Sequence, residues 1–376
     1  MIVGMPYSFR ITLFVSSFFL IACGGGSDSG SGITVTETEI GKLIFEDTRL
    51  SANSNQACAS CHDAASGFAD PDATSANPVS EGSITSQFGE RNAPTSSYAM
   101  FSPAFGLIND PVRGSIYAGG QFLDGRRDTL EEQAKDPFLN PVEMANADKQ
   151  AVVDKISTGT YADQFKAVYG NNVFNNTDVA YDKIAQAIAA FERSVEMNSF
   201  NSKFDCYLQD STQYPLSAQE QAGLNLFDGK AKCSSCHTLT PDPASGKVLF
   251  TNFQYFNIGV PSNPDNPANK ANASFVDLGL GARISGTAEN GKFKTPTLRN
   301  VELTAPYMHN GVFATLEEVM VFYNIDEKAL ASPPPEVDND INADVEFLGL
   351  NDPAEINEVV AFMKTLNDGS GIGICF

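Results

Sequence analysis

The chain contains no tryptophan and only three histidines, and its 24 lysines and arginines are outnumbered by 46 aspartates and glutamates. Each shortage excludes something. A net charge of −22 argues against nucleic acid as a partner, because phosphate binding requires clustered Lys and Arg. The charge favours a partner with a basic face, unless it serves solubility alone. A long hydrophobic run is missing too. The apolar stretch from Ile11 to Ala22, preceded by Arg10, is too short to span a bilayer and reads as the core of an export signal.

That stretch ends in Leu20-Ile21-Ala22-Cys23, which resembles a lipoprotein signal with Cys23 as the lipidated residue. Residues 1–22 then form the signal peptide, and 23–35 form a lipid-anchored tether rich in Gly and Ser. The expected location is the periplasm or cell surface, with membrane attachment through the lipid. Gly24 after the cysteine leans towards the outer membrane. A plain cleaved signal with an incidental cysteine is the alternative.

Of the seven cysteines, Cys23 is accounted for and four lie in two Cys-x-x-Cys-His motifs, Cys58–His62 and Cys233–His237. Cys206 and Cys375 remain. In an oxidising compartment they are a candidate disulfide that would pin the extreme C-terminus; two buried thiols are the alternative.

The motifs sit in a diverged internal repeat. Gly41-Lys42-Leu43-Ile44-Phe45 leads to the first, and Gly223-Leu224-Asn225-Leu226-Phe227 leads to the second. A short amphipathic helix running into each motif predicts a mainly α fold of two cytochrome c-like haem domains with long loops, 36–205 and 206–376. They would be joined near 200–216, where the helical pattern lapses. Ser217-Ala218-Gln219-Glu220 and Thr315-Leu316-Glu317-Glu318 are capping boxes, and Asp352-Pro353-Ala354-Glu355 is a third helix start. Residues 178–195 read as a long helix with Ile184, Ile188 and Phe191 on one face. Loops over 70–98, 240–275 and 331–345 are long, as befits a chain that wraps a cofactor.

Cys-x-x-Cys-His attaches haem for a geometric reason. Cys58 and Cys61, and likewise Cys233 and Cys236, form thioethers to the haem vinyl groups, and the adjacent His62 or His237 presents its imidazole to the iron. A thioredoxin motif lacks the histidine, and a zinc site would need two more ligands per motif in a chain with three histidines in all. His309 cannot be the sixth ligand of both irons. At least one iron therefore has a non-histidine sixth ligand or an open position, the latter being what peroxide chemistry requires.

The segments Gln121-Phe122-Leu123-Asp124-Gly125-Arg126, Glu131-Glu132-Gln133-Ala134, Asn140-Pro141-Val142-Glu143-Met144, Thr295-Pro296-Thr297-Leu298-Arg299-Asn300 and Tyr307-Met308-His309-Asn310-Gly311 resemble the bacterial di-haem cytochrome c peroxidase family, and its MauG-like branch in particular. The likeness runs from about residue 36 to 366.

It implies that the haem on His62 reacts with H2O2, with Gln133 and Glu143 in its distal pocket and Glu143 moving a proton between the peroxide oxygens. Without the resemblance, Glu143 would read as a cap or surface carboxylate. Arg126 is implied as a cofactor-binding residue. Relatives with a switchable peroxide haem carry a histidine in the loop after the first motif. Residues 63–98 have none, so this haem should be open in every oxidation state.

The haem on His237 is implied to be the reservoir, with Tyr323 as sixth ligand where peroxidases place Met. Met320 is the next candidate, and Tyr323 also fits a plain core position beside Leu316, Val319 and Met320. An anionic oxygen donor favours ferric and higher states. The resemblance gives His309 a supporting role near this haem, and assigns Asn92 and the carbonyls of Thr304 and Pro306 to a calcium site.

One departure stands out: relatives carry Trp in a Phe-Trp-Asp-Gly-Arg motif between the haems, and Leu123 replaces it. The implied activity is a MauG-like oxidase. It would store two oxidising equivalents from H2O2 in a high-valent di-haem state and withdraw them from a partner protein by long-range electron transfer. The alternatives are a cytochrome c peroxidase fed by a small cytochrome or cupredoxin, and a non-enzymatic electron-transfer cytochrome.

Overall fold

The computed structural model describes residues 35–284, 286–325, 333–342, 348–350, 352–371 and 373–375. The expectations for the signal peptide, Cys23 and nearly all of the tether lie outside these residues. From Val35 onward the chain packs as one unit built on two helix pairs.

In the first pair, the helix Glu37–Phe45 starts at a capping box in which Thr36 and Glu39 satisfy each other's backbone N–H groups, and it buries Ile40, Gly41, Ile44 and Phe45. It lies against Thr177–Glu192, which turns Ile184, Ile188 and Phe191 inward. The second pair repeats the plan. Ala218–Asp228 opens on the Ser217/Glu220 box, and Pro353–Lys364 opens on Asp352 and Glu355 with Pro353 in its first turn.

The repeated glycine explains why each pair crosses so closely. A Cβ on Gly41 would stand 1.9 Å from the Ala187 carbonyl oxygen, and one on Gly223 would stand 1.9 Å from that of Glu358. Only a residue without a side chain lets these backbones touch.

Two hydrophobic cores follow. One gathers Ile40, Phe138, Ile156, Phe165 and Phe191; the other gathers Phe227, Phe250, Met320, Val359 and Phe362. A smaller cluster draws on both halves of the chain: Tyr98, Phe200 and Leu249, with Phe101 and Phe253 against them. Strands are few, as expected: the hairpin Gly106–Asp110 with Gly114–Ala118, and the short pair Tyr255–Phe256 with Phe293–Lys294.

Three details differ from the expectations raised by the sequence. The long helix ends at Glu192, where the Glu192 and Ser194 carbonyls are taken by Asn198. The Glu318 carboxylate accepts from Ala314 N–H rather than from the Thr315 backbone, so that capping box closes one residue early. The stretch where the helical pattern lapses holds a helix, Lys203–Gln209, capped by Ser202 and burying Phe204, Asp205 and Cys206. Asp205 explains it: its carboxylate accepts two 2.9 Å hydrogen bonds from Arg299, which is only 1% exposed. The Ser202/Asp205 capping box is a local start signal, but the buried ion pair, with its partner far along the chain, is not. Cys206 on this helix is joined to Cys375 by a disulfide. Among the described residues no helix is long and apolar enough to cross a membrane.

Candidate haem sites

In the second motif, Cys233–Ser235 forms a single 3-10 turn and the His237 N–H closes on the Cys233 carbonyl. The His237 Nδ1–H donates to the Phe250 carbonyl at 3.0 Å. That bond fixes the ring and leaves Nε2 as the nitrogen able to bind metal. The motif borders a cavity of about 330 Å³ whose walls include Leu316, Met320 and Tyr323. These three come from successive turns of Leu316–Tyr323, so one helix face presents both candidate sixth ligands, the thioether and the phenol, to the space the motif faces.

The first motif is a full helical turn, Cys58–Cys61, closed by His62 N–H on the Cys58 carbonyl. His62 Nδ1–H donates to the Phe68 carbonyl at 3.1 Å, so both imidazoles are held alike. Burial lowers the pKa of both and keeps them neutral, as metal ligation requires. None of the four motif cysteines is in a disulfide. Burial pushes the Cys61 and Cys233 thiols up to about 12, the reverse of what a redox-active or zinc-binding thiolate shows. Protonated buried thiols paired with oriented neutral imidazoles suit haem attachment.

Glu143 follows the Asn140 turn and is half-buried, and its charge reaches both Cys58 and Cys61. Burial raises its pKa, while Arg126 and a hydrogen bond from Asn140 pull the other way. It is therefore suited to exchange a proton. Arg126 stacks on the Phe122 ring at 3.4 Å and bonds Asp124 at 3.1 Å. Gln133 ends the short helix Leu130–Gln133 and is half-buried. Neither Gln133 nor Glu143 lines the cavity beside the second motif or a second one of about 500 Å³ beside Cys61 and Asp70.

The cavity beside the second motif also reaches Asn92, Leu123, Thr304, Pro306 and His309. His309 is buried, stacked on Phe293 at 3.9 Å, and its Nε2 meets Glu336 Oε2 at 2.9 Å. Glu336 also accepts from the Asp277 N–H, and Asp277 pairs with Arg91, which pairs in turn with Asp124. Asn92 spends its amide hydrogens on the Pro78 carbonyl, so its Oδ1 is the atom left to accept or ligate. Lys294, bonded to Ser102 and the Gly120 carbonyl, lines the same space, and burial lowers its pKa to about 7.

Sequence reasoning missed Glu336, Asp277 and Lys294. Arg91 lies one residue before Asn92 and Asp124 lies inside the Gln121–Arg126 motif, but nothing local marks them as partners.

Residues 36–213 match the family model described as di-haem cytochrome c peroxidase. The methylamine utilization protein MauG of Paracoccus denitrificans is 36% identical, over 96% of this chain and 95% of that protein. A cytochrome c551 peroxidase of Nitrosomonas europaea is 33% identical over 87% and 79%. Among solved structures, the diheme peroxidase BthA of Burkholderia thailandensis superposes with a TM-score of 0.77 at 31% identity, covering 94% of this chain and 91% of that one. With motifs, fold and likeness in agreement, the chain belongs to the di-haem cytochrome c peroxidase family and is a di-haem oxidoreductase enzyme carrying two haem c groups.

Proposed function

We propose that this enzyme works as a MauG-like oxidase: H2O2 withdraws two electrons from the di-haem centre, and a partner protein supplies them back. The observation that carries this reading is Tyr323, a phenol on the wall of the cavity that Cys233, Cys236 and His237 border. Haem, when bound, supplies the one-electron chemistry and the site of peroxide reduction. Cys58, Cys61 and His62 would hold one haem; Cys233, Cys236 and His237 would hold the other, with the Tyr323 oxygen as a further donor to its iron. An anionic oxygen donor lowers that iron's potential and suits storage of an oxidising equivalent.

Near the first motif Glu143 holds the proton that must travel between the peroxide oxygens, and the Arg126 charge keeps it able to release that proton. Gln133 orients the bound peroxide. The absence of histidine from residues 63–98 supports a haem that needs no reductive activation. Asn92 and the Thr304 and Pro306 carbonyls offer the oxygen-only donor set that Ca²⁺ takes. Cys23 is the lipid anchor, tethering the enzyme on the periplasmic side or cell surface.

The match to a cytochrome c551 peroxidase supports a second reading, in which a small cytochrome or cupredoxin returns the electrons and water is the only product. One experiment separates the two. One equivalent of H2O2 is added to the diferric protein with no donor present. The oxidase gives a long-lived oxidised spectrum in the Soret and near-infrared. Turnover seen only with a reduced cytochrome and a half-reduced enzyme gives the peroxidase instead and overturns the reading.

A further inference from the structure

With Leu123 at the position where relatives carry Trp, and no tryptophan anywhere in the chain, the two haem sites lack an indole between them. Tyr98 belongs to the aromatic cluster that draws on both halves of the chain. Tyr98 is 2% exposed, and its hydroxyl donates to Asp368 Oδ2 at 2.6 Å. Two residues before it, the Ser96 N–H donates at 3.0 Å to the Phe68 carbonyl, which also holds His62. On its other side, the Arg299 guanidinium lies 5.1 Å from the Tyr98 ring and 6.0 Å from that of Phe250, whose carbonyl holds His237. Tyr98 also lines the cavity that Cys233 and His237 border.

We propose that Tyr98, with Asp368 as its proton acceptor, is the redox side chain that carries oxidising equivalents between the two haem sites. The proposal rests on the peroxide-driven reading above.

The step balances within the site. The Tyr98 phenol gives one electron to an oxidised haem and its O–H bond breaks. The proton passes to the Asp368 carboxylate, leaving a neutral phenoxyl and a neutral acid. Reduction by an electron from the other haem reverses both transfers. Proton loss matters here, because a phenol cation would otherwise be created in a dry site beside the Arg299 charge. Asp368 is held in place to accept that proton. Its N–H donates to Asn300 Oδ1 at 2.7 Å, and Asn300 Nδ2 donates to Asp368 Oδ2 at 2.9 Å. Arg299 is occupied by Asp205 and does not claim it.

The backbone also indicates a fixed position. Tyr98 sits at φ 63°, a left-handed conformation that costs a bulky residue energy and persists only where the surroundings enforce it. Tyr161 and Tyr169 have carboxylate partners too, Asp47 and Glu37, but both rings belong to the first core alone. Of these three tyrosines, Tyr98 alone belongs to the cluster shared by both halves.

The test uses the diferric holoenzyme, mixed with one equivalent of H2O2 and freeze-quenched. On the reading above, the haem on His62 should give a high-spin ferric signal and the haem on His237 a low-spin one, which electron paramagnetic resonance resolves. In the wild type both signals fall. In Tyr98→Phe the first should fall as before, while loss of the second slows about tenfold or more. Asp368→Asn, which keeps the ring and its packing, should slow the same step, and D2O should slow it in the wild type but not in Tyr98→Phe. Haem content and melting temperature establish that each variant is folded. Should one variant fail to load haem, the other and the wild-type D2O comparison still decide. Unchanged loss of the second signal in a loaded variant, or no solvent isotope effect in the wild type, overturns the relay. If peroxide affects neither signal in the wild type, the peroxide-driven reading falls and the relay with it.

Discussion

The two Cys-x-x-Cys-His segments grow out of the same repeated unit, but their surroundings diverge. Near the first, the charge of Glu143 reaches the cysteines and is opposed by Arg126. Beside the second, Leu316, Met320 and Tyr323 form one side of the cavity, and Tyr98, Lys294 and His309 line it elsewhere. Each histidine donates to a backbone carbonyl, so both imidazoles are oriented alike. What differs is what each site can do with protons. By the first motif a half-buried carboxyl can move a proton; the Leu316–Tyr323 face by the second, with its one phenol, is fitted to hold charge.

The comparison breaks most visibly at Glu143. Glu143→Gln should slow the peroxide-driven spectral change in stopped flow by roughly 10²–10³-fold, as expected on losing a positioned acid–base group. Tyr323→Phe should do the converse, altering the spectrum and raising the potential of the haem on His237 while leaving the peroxide rate nearly intact. If Tyr323→Phe slows the rate as much as Glu143→Gln does, the division between the sites is wrong.

A smaller effect tests the symmetry of the scaffold. Gly41→Ala and Gly223→Ala each drive a Cβ into a backbone carbonyl, and overpacking of this kind costs about 1–3 kcal/mol. Thermal unfolding of the holoprotein should show both losses, at similar size. A neutral result at either glycine would mean that one pair crosses less closely than the other.

A last effect is a pH dependence confined to the first half. Glu192 is buried, its Oε2 has no hydrogen-bond partner, and burial raises its pKa to about 8 from 4.5. Because the folded value is the higher one, the stability it contributes is full below pH 4.5 and is lost as pH rises towards 8. Glu192→Gln should match the wild type near pH 5. By pH 8 it should be the more stable of the two, by on the order of a few kcal/mol at most. Melting curves at both pH values check the sign, and a gap that narrows with rising pH would refute it.

Much of this architecture is legible in the amino-acid sequence. The Cys-x-x-Cys-His motifs, the Ser217 and Asp352 caps and the repeated glycine are local signals, written within a few neighbouring residues. The helix Lys203–Gln209 is only half so: its Ser202/Asp205 capping box is local, but the Arg299 that lets Asp205 be buried lies far away in sequence. The link from His309 through Glu336 to Asp277 is hidden for the same reason, as is the pairing of Tyr98 with Asp368. Each joins loops whose own residues carry no period, and only the folded chain brings them together.

The disulfide between Cys206 and Cys375 closes a span of 169 residues and ties the tail that carries Asp368 to the helix that carries Asp205. The stretch from Asp368 to the bridge is thus clamped at one end by a covalent bond and at the other by Asn300. A chain kept in a reducing environment would have only the weaker clamp, so the seating of its last turn becomes a record of where the protein matured.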